Sequence, residues 1–155
     1  MAAKKVPDIG EKVRNFSLKD QNENIFQLAD CIGQNVLLSF HPLAWTPVCA
    51  MQMQSLEKHN EVFKKLNTVA VGISVDSVPS KRAWAKSLNI LETRLLADFW
   101  PHGKIAEGLG VFREEGFSQR ANIIIDKSGR LIFKKIYPIV ELPDINEIIK
   151  QLEQL

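Results

Sequence analysis

The sequence predicts an α/β fold: a central mixed sheet flanked by helices, with a small hairpin ahead of it. Three observations carry this. Asn35–Phe40 (NVLLSF) and residues 69–75 (VAVGISV) are short apolar runs of the length and composition of buried strands. A longer segment of roughly helical apolar spacing separates them, which makes a strand–helix–strand unit with parallel strands. A late hairpin signal and an amphipathic helix close the chain, and the hairpin adds antiparallel strands.

Each element follows in order. Phe16-Ser17-Leu18 alternates, Gln21-Asn22-Glu23-Asn24 reads as a turn, and Ile25-Phe26-Gln27-Leu28 returns as the second arm of a hairpin. Asn35–Phe40 is the first buried strand. Beyond Pro42, the residues Val48, Met51, Leu56, Val62, Phe63 and Leu66 predict one helix over 47–66. Strand 69–75 follows, then a helix over 80–88 with Pro79 near its start. Leu95-Leu96-Ala97 predicts a short strand before a turn at Trp100-Pro101. Residues 122–125 (NIII) and 131–136 (LIFKKI) flank Asp126-Lys127-Ser128-Gly129, where Gly129 can supply the positive φ of a hairpin turn. Over 143–155, Ile145, Ile148, Ile149 and Leu152 fall on one helical face.

Composition narrows the function classes. The 155 residues fit one domain spanning 1–155, and 45 % hydrophobic residues suffice for a core without disulfide staples. Twenty basic and 18 acidic residues are mixed along the chain, with net charge +2 and no basic stripe, so nucleic acid is not an expected partner. No apolar run approaches the ~18 residues of a membrane span. Residues 1–12 lack the apolar stretch of a secretion signal, and a cytoplasmic location is expected. The two cysteines, Cys31 and Cys49, are too few for a disulfide framework and fit no zinc pattern.

The chemistry concentrates between the first buried strand and the helix after it, in Phe40-His41-Pro42-Leu43-Ala44-Trp45-Thr46-Pro47-Val48-Cys49. In open α/β sheets, ligands gather at the carboxyl ends of strands. Pro47 suits the first helical turn, where its missing N–H was unpaired in any case. Thr46 is then the N-cap, with its hydroxyl available to a backbone N–H or to a ligand. Cys49 falls in the first turn, where a thiolate faces the positive end of the helix dipole and free N–H groups. An ordinary thiol is about 3 % ionised at pH 7, so full ionisation gains roughly 30-fold. A fast reaction at the sulfur needs hydrogen-bond donors around the breaking bond as well. Alone, each residue has a plainer role: an inert buried thiol for Cys49, a strand terminator for Pro42, a cap for Thr46.

In combination they resemble the peroxiredoxin signature Pro-x-x-x-Thr-x-x-Cys, met here by Pro42, Thr46 and Cys49. Leu95-Leu96-Ala97-Asp98-Phe99-Trp100-Pro101-His102-Gly103 and Gly110-Val111-Phe112 are similar to the one-cysteine AhpE branch of that family. Arg120-Ala121-Asn122-Ile123-Ile124-Ile125-Asp126 resembles the family's Arg-led strand. The resemblance spans the chain from about Val6 to the last helix. It implies a thioredoxin-like fold and reduction of hydrogen peroxide or organic hydroperoxides without metal or flavin, through a Cys49 sulfenic acid. By the same resemblance, Thr46 positions the peroxide, Pro42 shields the pocket, and Arg120 stabilises the thiolate and the transition state. An antiparallel pairing of strand 122–125 with Asn35–Phe40 would itself bring Arg120 near Cys49. His41, Val48 and Gln52 are candidates for the peroxide pocket. The family usually carries Glu three residues after the cysteine; Gln52 stands there, able to accept hydrogen bonds but uncharged. The resemblance also implies a homodimer or larger homo-oligomer, in which Trp45 is a candidate contact.

Cys31 precedes the first buried strand and Cys49 follows it. A strand of that length spans about 20 Å, far beyond the ~7 Å Cα limit of a disulfide. The sulfenic acid is therefore expected to be recycled by an external thiol: thioredoxin, a glutaredoxin-like protein or a low-molecular-weight thiol. Two other readings use the same residues. A thioredoxin-like dithiol oxidoreductase needs Cys-x-x-Cys, and its second cysteine would fall at Gln52. A peroxide-sensing protein would use Cys49 to signal without turnover.

Overall fold

The computed structural model describes residues 5–155; the part of the N-terminal stretch that precedes Lys5 lies outside them. β1 (Ser17–Lys19) and β2 (Ile25–Gln27) pair antiparallel as the small hairpin. A 3-10 turn, Leu28–Cys31, leads into β3 (Asn35–Phe40). Then come α1 (Pro47–Lys58), α2 (Asn60–Lys65), β4 (Thr68–Ser74), α3 (Val78–Ser87), β5 (Arg94–Ala97) and α4 (Lys104–Gly108). β6 (Arg120–Ile125), β7 (Leu131–Tyr137) and α5 (Ile145–Glu153) complete the chain. The five long-chain strands form one mixed sheet in the order β5-β4-β3-β6-β7, with β3, β4 and β5 parallel and β6 and β7 antiparallel.

The central strands β3 and β6 are buried on both faces because they are largely apolar at successive residues, and the pleat sorts those residues by parity. Val36, Leu38 and Phe40 of β3 and Ala121, Ile123 and Ile125 of β6 face the hairpin and α4. Leu37 of β3 and Ile124 of β6 face the other way, onto α1, α3 and α5. Asp144 caps α5 by accepting from the Asn146 N–H at 3.0 Å, and Ile148 and Leu152 pack its apolar stripe on the sheet. Gly72 of β4 lets α1 approach closely, since a Cβ there would land on the Met53 side chain.

Two expectations need correction, and one element goes beyond them. The helix over 47–66 is two helices, because the chain departs from helical geometry at His59, whose ring Nδ1 lies 2.8 Å from the Ser55 carbonyl. The helix expected over 80–88 begins at Val78: Ser77 is its N-cap, accepting from the Ser80 N–H, and Pro79 lies inside the first turn. α4 was not expected at all. It is a five-residue turn launched from Gly103 in the left-handed region (φ 68°), too short to show a period. Among the described residues, no helix is long and apolar enough to cross a membrane.

Candidate active site

The site forms at the carboxyl end of β3. Loop 41–46 carries the chain out of the strand, and Pro47 starts α1 at its first helical position. Thr46 is the N-cap in extended conformation, its carbonyl accepting the first helical bond from the Ala50 N–H at 2.9 Å. Of the roles left open for its hydroxyl, the helix-capping bond to a backbone N–H is not made; it donates to the Leu43 carbonyl at 2.8 Å and so folds the loop back on itself. The hydroxyl oxygen keeps acceptor capacity. Pro42 is buried and Val48 half-buried on either side of this turn. Trp45 holds a positive φ of 68° and is tied to α3 by its indole N–H, which donates to the Ser80 hydroxyl at 3.0 Å.

Cys49 sits in the first turn of α1 with no exposed surface, packed with Leu37, Ala44 and Met53. One wall of this apolar setting is charged. Antiparallel register pairs Ser39 with Asn122 and Phe40 with Ala121, so Arg120, of even parity like Asn122 and Ile124, projects from β6 toward α1. Its Nη1 donates to Cys49 Sγ at 3.4 Å and to Gln52 Oε1 at 2.7 Å, while its Nε donates to the Ile139 carbonyl at 2.9 Å. The guanidinium is thus fixed from three directions.

Gln52 does what a carboxylate at this place could not. Its carbonyl accepts from Arg120, and its amide donates to the Ser39 hydroxyl at 2.7 Å and to the Phe40 carbonyl at 3.1 Å. The Ser39 hydroxyl donates to Asn122 Oδ1 at 2.8 Å, and the Tyr137 hydroxyl, which accepts from the Asn122 amide at 3.4 Å, donates to Glu147 at 2.7 Å. The neutral side chain therefore joins a buried, satisfied network.

Of the residues singled out in the sequence, Cys49, Arg120 and Gln52 meet directly, with Thr46 one turn before Cys49. His41 does not line an open pocket. Its ring is fully buried against Trp84, with centroids 5.4 Å apart. Burial, then the charge of Lys81, hold its pKa well below the usual histidine value, so it stays neutral. Lys81 is a charged residue that the sequence reading did not single out. It is fully buried on α3, and burial lowers its pKa to about 8 against the pull of Asp76, Cys49 and Asp98. The available signal was its phase: Lys81 shares a helical face with Trp84 and Ala85.

Cys31 lies elsewhere, in the apolar cluster on the opposite face of the sheet, and burial raises its thiol pKa. Both thiols are free. A groove bounded by Val13, Phe16, Trp100, Ile105 and Leu109 shares no residue with the Cys49 cluster. Among the described residues, no group of three or more His, Cys, Asp or Glu could hold a metal ion.

Comparison with known proteins identifies the family. The profile of the AhpC/TSA family matches residues 9–134. Alkyl hydroperoxide reductase E of Mycobacterium tuberculosis is 34 % identical over 139 residues, covering 88 % of this chain and 90 % of that protein. Peroxiredoxin 1 of Picrophilus torridus is 34 % identical over 158 residues, covering 97 % of this chain and 69 % of its own length. The solved structure of the mitochondrial 2-Cys peroxiredoxin from Plasmodium falciparum superposes with a TM-score of 0.85 at 27 % identity, covering 94 % of this chain and 92 % of that one. A thiol held at a helix start beside a buried guanidinium, on a fold shared with these proteins along nearly its whole length, places the chain in the AhpC/TSA family, the peroxiredoxins.

Proposed function

We propose that this chain is a thiol peroxidase in which Cys49 attacks hydroperoxides. The observation that carries the reading is the Arg120 guanidinium 3.4 Å from the Cys49 sulfur, inside the first turn of α1. The attacking form of a cysteine is its thiolate, and the Arg120 guanidinium supplies positive charge and fixed donors beside this sulfur. The thiolate attacks the terminal peroxide oxygen. An S–O bond forms as the O–O bond breaks, and the departing alkoxide or hydroxide takes a proton to leave as alcohol or water. Cys49 is left as a sulfenic acid. Arg120 offers donors where negative charge moves from sulfur to the leaving oxygen. Thr46, whose own proton is committed to Leu43, accepts the peroxide O–H and orients it. Pro42 closes the site against water, and Val48 forms part of its wall. Because Cys49 has no exposed surface, peroxide reaches it when loop 41–46 moves outward.

Recycling follows from where the cysteines sit. Cys31 and Cys49 belong to opposite faces of the sheet, so an external thiol condenses with the sulfenic acid, releasing water, and a second thiol exchange restores Cys49. The protein is accordingly read as a one-cysteine enzyme of the cytoplasm, working as a homodimer or larger homo-oligomer.

Stopped-flow oxidation with hydrogen peroxide and an organic hydroperoxide tests this. Wild type is expected to show fast single-site oxidation, abolished in Cys49→Ser and slowed about 100-fold or more in Arg120→Ala. A wild-type rate no faster than that of free cysteine would overturn the peroxidase reading. A Cys31–Cys49 disulfide as the dominant oxidised species by mass spectrometry would overturn the one-cysteine assignment.

A further inference from the structure

One face of the sheet carries a row of polar groups among its apolar residues. Opposed residues of paired strands point the same way, as do residues two apart along a strand. Register sets Ser39 opposite Asn122 and Arg120 opposite Tyr137, and Arg120 and Asn122 are two apart on β6. All four side chains therefore stand on the face covered by α1 and α5, where Gln52 and Glu147 meet them from those helices. Arg120, Gln52, Ser39, Asn122 and Tyr137 are each at most 4 % exposed. Glu147, at the outer end of the row, is half-buried.

The hydrogen bonds along this row run in one direction. A guanidinium only donates, so the Gln52 oxygen must face Arg120, at 2.7 Å. A backbone carbonyl only accepts, so the Gln52 amide must face Phe40, at 3.1 Å. Pinned from both sides, Gln52 also donates to the Ser39 hydroxyl at 2.7 Å. Ser39, accepting there, donates its own proton to Asn122 Oδ1 at 2.8 Å, which leaves the Asn122 amide for the Tyr137 hydroxyl at 3.4 Å. Tyr137 then donates to Glu147 at 2.7 Å. Lys135, 2.7 Å from the same carboxylate, and this phenol hold the Glu147 pKa below its usual value, so Glu147 stays an acceptor. A donor-only cation stands at one end and an acceptor-only anion at the other, and every group between them both gives and receives. Bonds aligned in this way polarise and reinforce one another.

Resting on the peroxidase reading above, we propose that Tyr137 is a positioning residue for that reaction: through Asn122, Ser39 and Gln52 it fixes the direction in which Arg120 is held against the Cys49 sulfur, and it touches no peroxide. Arg120 Nη1 is shared between Cys49 Sγ at 3.4 Å and Gln52 Oε1 at 2.7 Å, so a Gln52 that turns or shifts moves the donor that faces the sulfur. Tyr137 and Glu147 thereby tie the placement of this donor to the docking of α5, whose Ile148 and Leu152 pack on the same side of the sheet.

Two measurements test the proposal. Tyr137→Phe, which removes only the hydroxyl, is expected to slow Cys49 oxidation about three- to tenfold in stopped flow, the scale of one hydrogen bond. In a Gln52→Leu background, where the row is already cut, the same change should have no further effect. Equal slowing in both backgrounds, as a merely structural tyrosine predicts, or no slowing in either, overturns the proposal while leaving the peroxidase reading intact. The second measurement needs no oxidation. Tyr137 is the single tyrosine of the chain, so a carbon-13 label at tyrosine Cζ reports on it alone. Gln52→Glu places an acceptor where the amide donated. Ser39 then turns its proton to the new carboxylate, Asn122 turns its amide to Ser39, and the Asn122 carbonyl draws the Tyr137 hydroxyl from Glu147. The Tyr137 signal should therefore move in Gln52→Glu, although Ser39 and Asn122 stand between the two positions. A signal unmoved from its wild-type place in the folded variant overturns the one-way row. Absence of wild-type oxidation sinks the peroxidase reading instead, and the tyrosine signal still decides whether residue 52 sets the direction of the bonds.

Discussion

At the scale of single residues, the site is built from groups whose partners decide their chemistry. Gln52 shows this best. Replacing it with Glu would put a carboxylate 2.7 Å from the Arg120 guanidinium and strip the amide donor from Ser39 and Phe40. The new charge would draw Arg120 away from the sulfur. Gln52→Glu is expected to slow Cys49 oxidation several-fold and to cost about 1–3 kcal/mol of stability through the lost buried hydrogen bonds, read by stopped flow and urea unfolding. Lys81 makes the opposite trade. Its folded pKa of about 8 lies below the ordinary 10.5, so the unfolded chain binds more protons between those values. Wild-type stability should therefore rise as pH climbs from about 8 to 10.5, and below pH 8 the full penalty, on the order of 3 kcal/mol, applies. Lys81→Met should unfold at higher urea than wild type at pH 7, with the advantage fading by pH 10.5. A variant less stable at pH 7 would contradict this. The spacing of Pro42, Thr46 and Cys49 was legible because those residues are contiguous in the chain. Lys81 was not, because burial of a charge depends on how a helix face settles on a sheet.

Among the elements, α1 carries the sulfur and β4 supports α1 from below. Gly72 is the point of contact. Gly72→Ala would press a methyl group into Met53, and overpacking of this kind costs roughly 1–3 kcal/mol. Thermal unfolding should register the loss, and Met53→Ala combined with it should recover part of that loss; strict additivity of the two changes would contradict the contact. The long strands were legible because each is an apolar run bounded by turn residues, and Asn35–Phe40 matches the expected boundaries to the residue. The division between α1 and α2 was not, since the apolar spacing from Val48 to Leu66 continues across His59. The Ser77 cap was hidden by Pro79, which reads as a boundary yet occupies the first turn.

For the molecule as a whole, the strand directions gather one kind of surface at one end. The chain leaves β3, β5 and β7 at the same end of the sheet, because β3 and β5 are parallel and β6 reverses between β3 and β7. Those exits carry Trp45, Phe99, Trp100 and Val140, each more than half exposed. Under the homo-oligomer reading proposed above, this concentrated apolar surface is the expected association face. Analytical ultracentrifugation is expected to show a dimer or larger species, and Trp45→Glu with Trp100→Glu should shift it toward monomer; a wild-type monomer at micromolar concentration would exclude that face as a stable interface.

The even parity of Arg120 has a consequence for how this protein can change. Guanidinium and sulfur meet only because two strands running in opposite directions are matched in phase across a hydrogen-bonded seam. Deleting Ala121 would swing the arginine's place to the opposite face of the sheet while leaving every residue of the signature untouched. Mutational drift in this stretch is thus constrained by arithmetic rather than by chemistry. Insertions or deletions there should be tolerated in pairs and silence the enzyme singly.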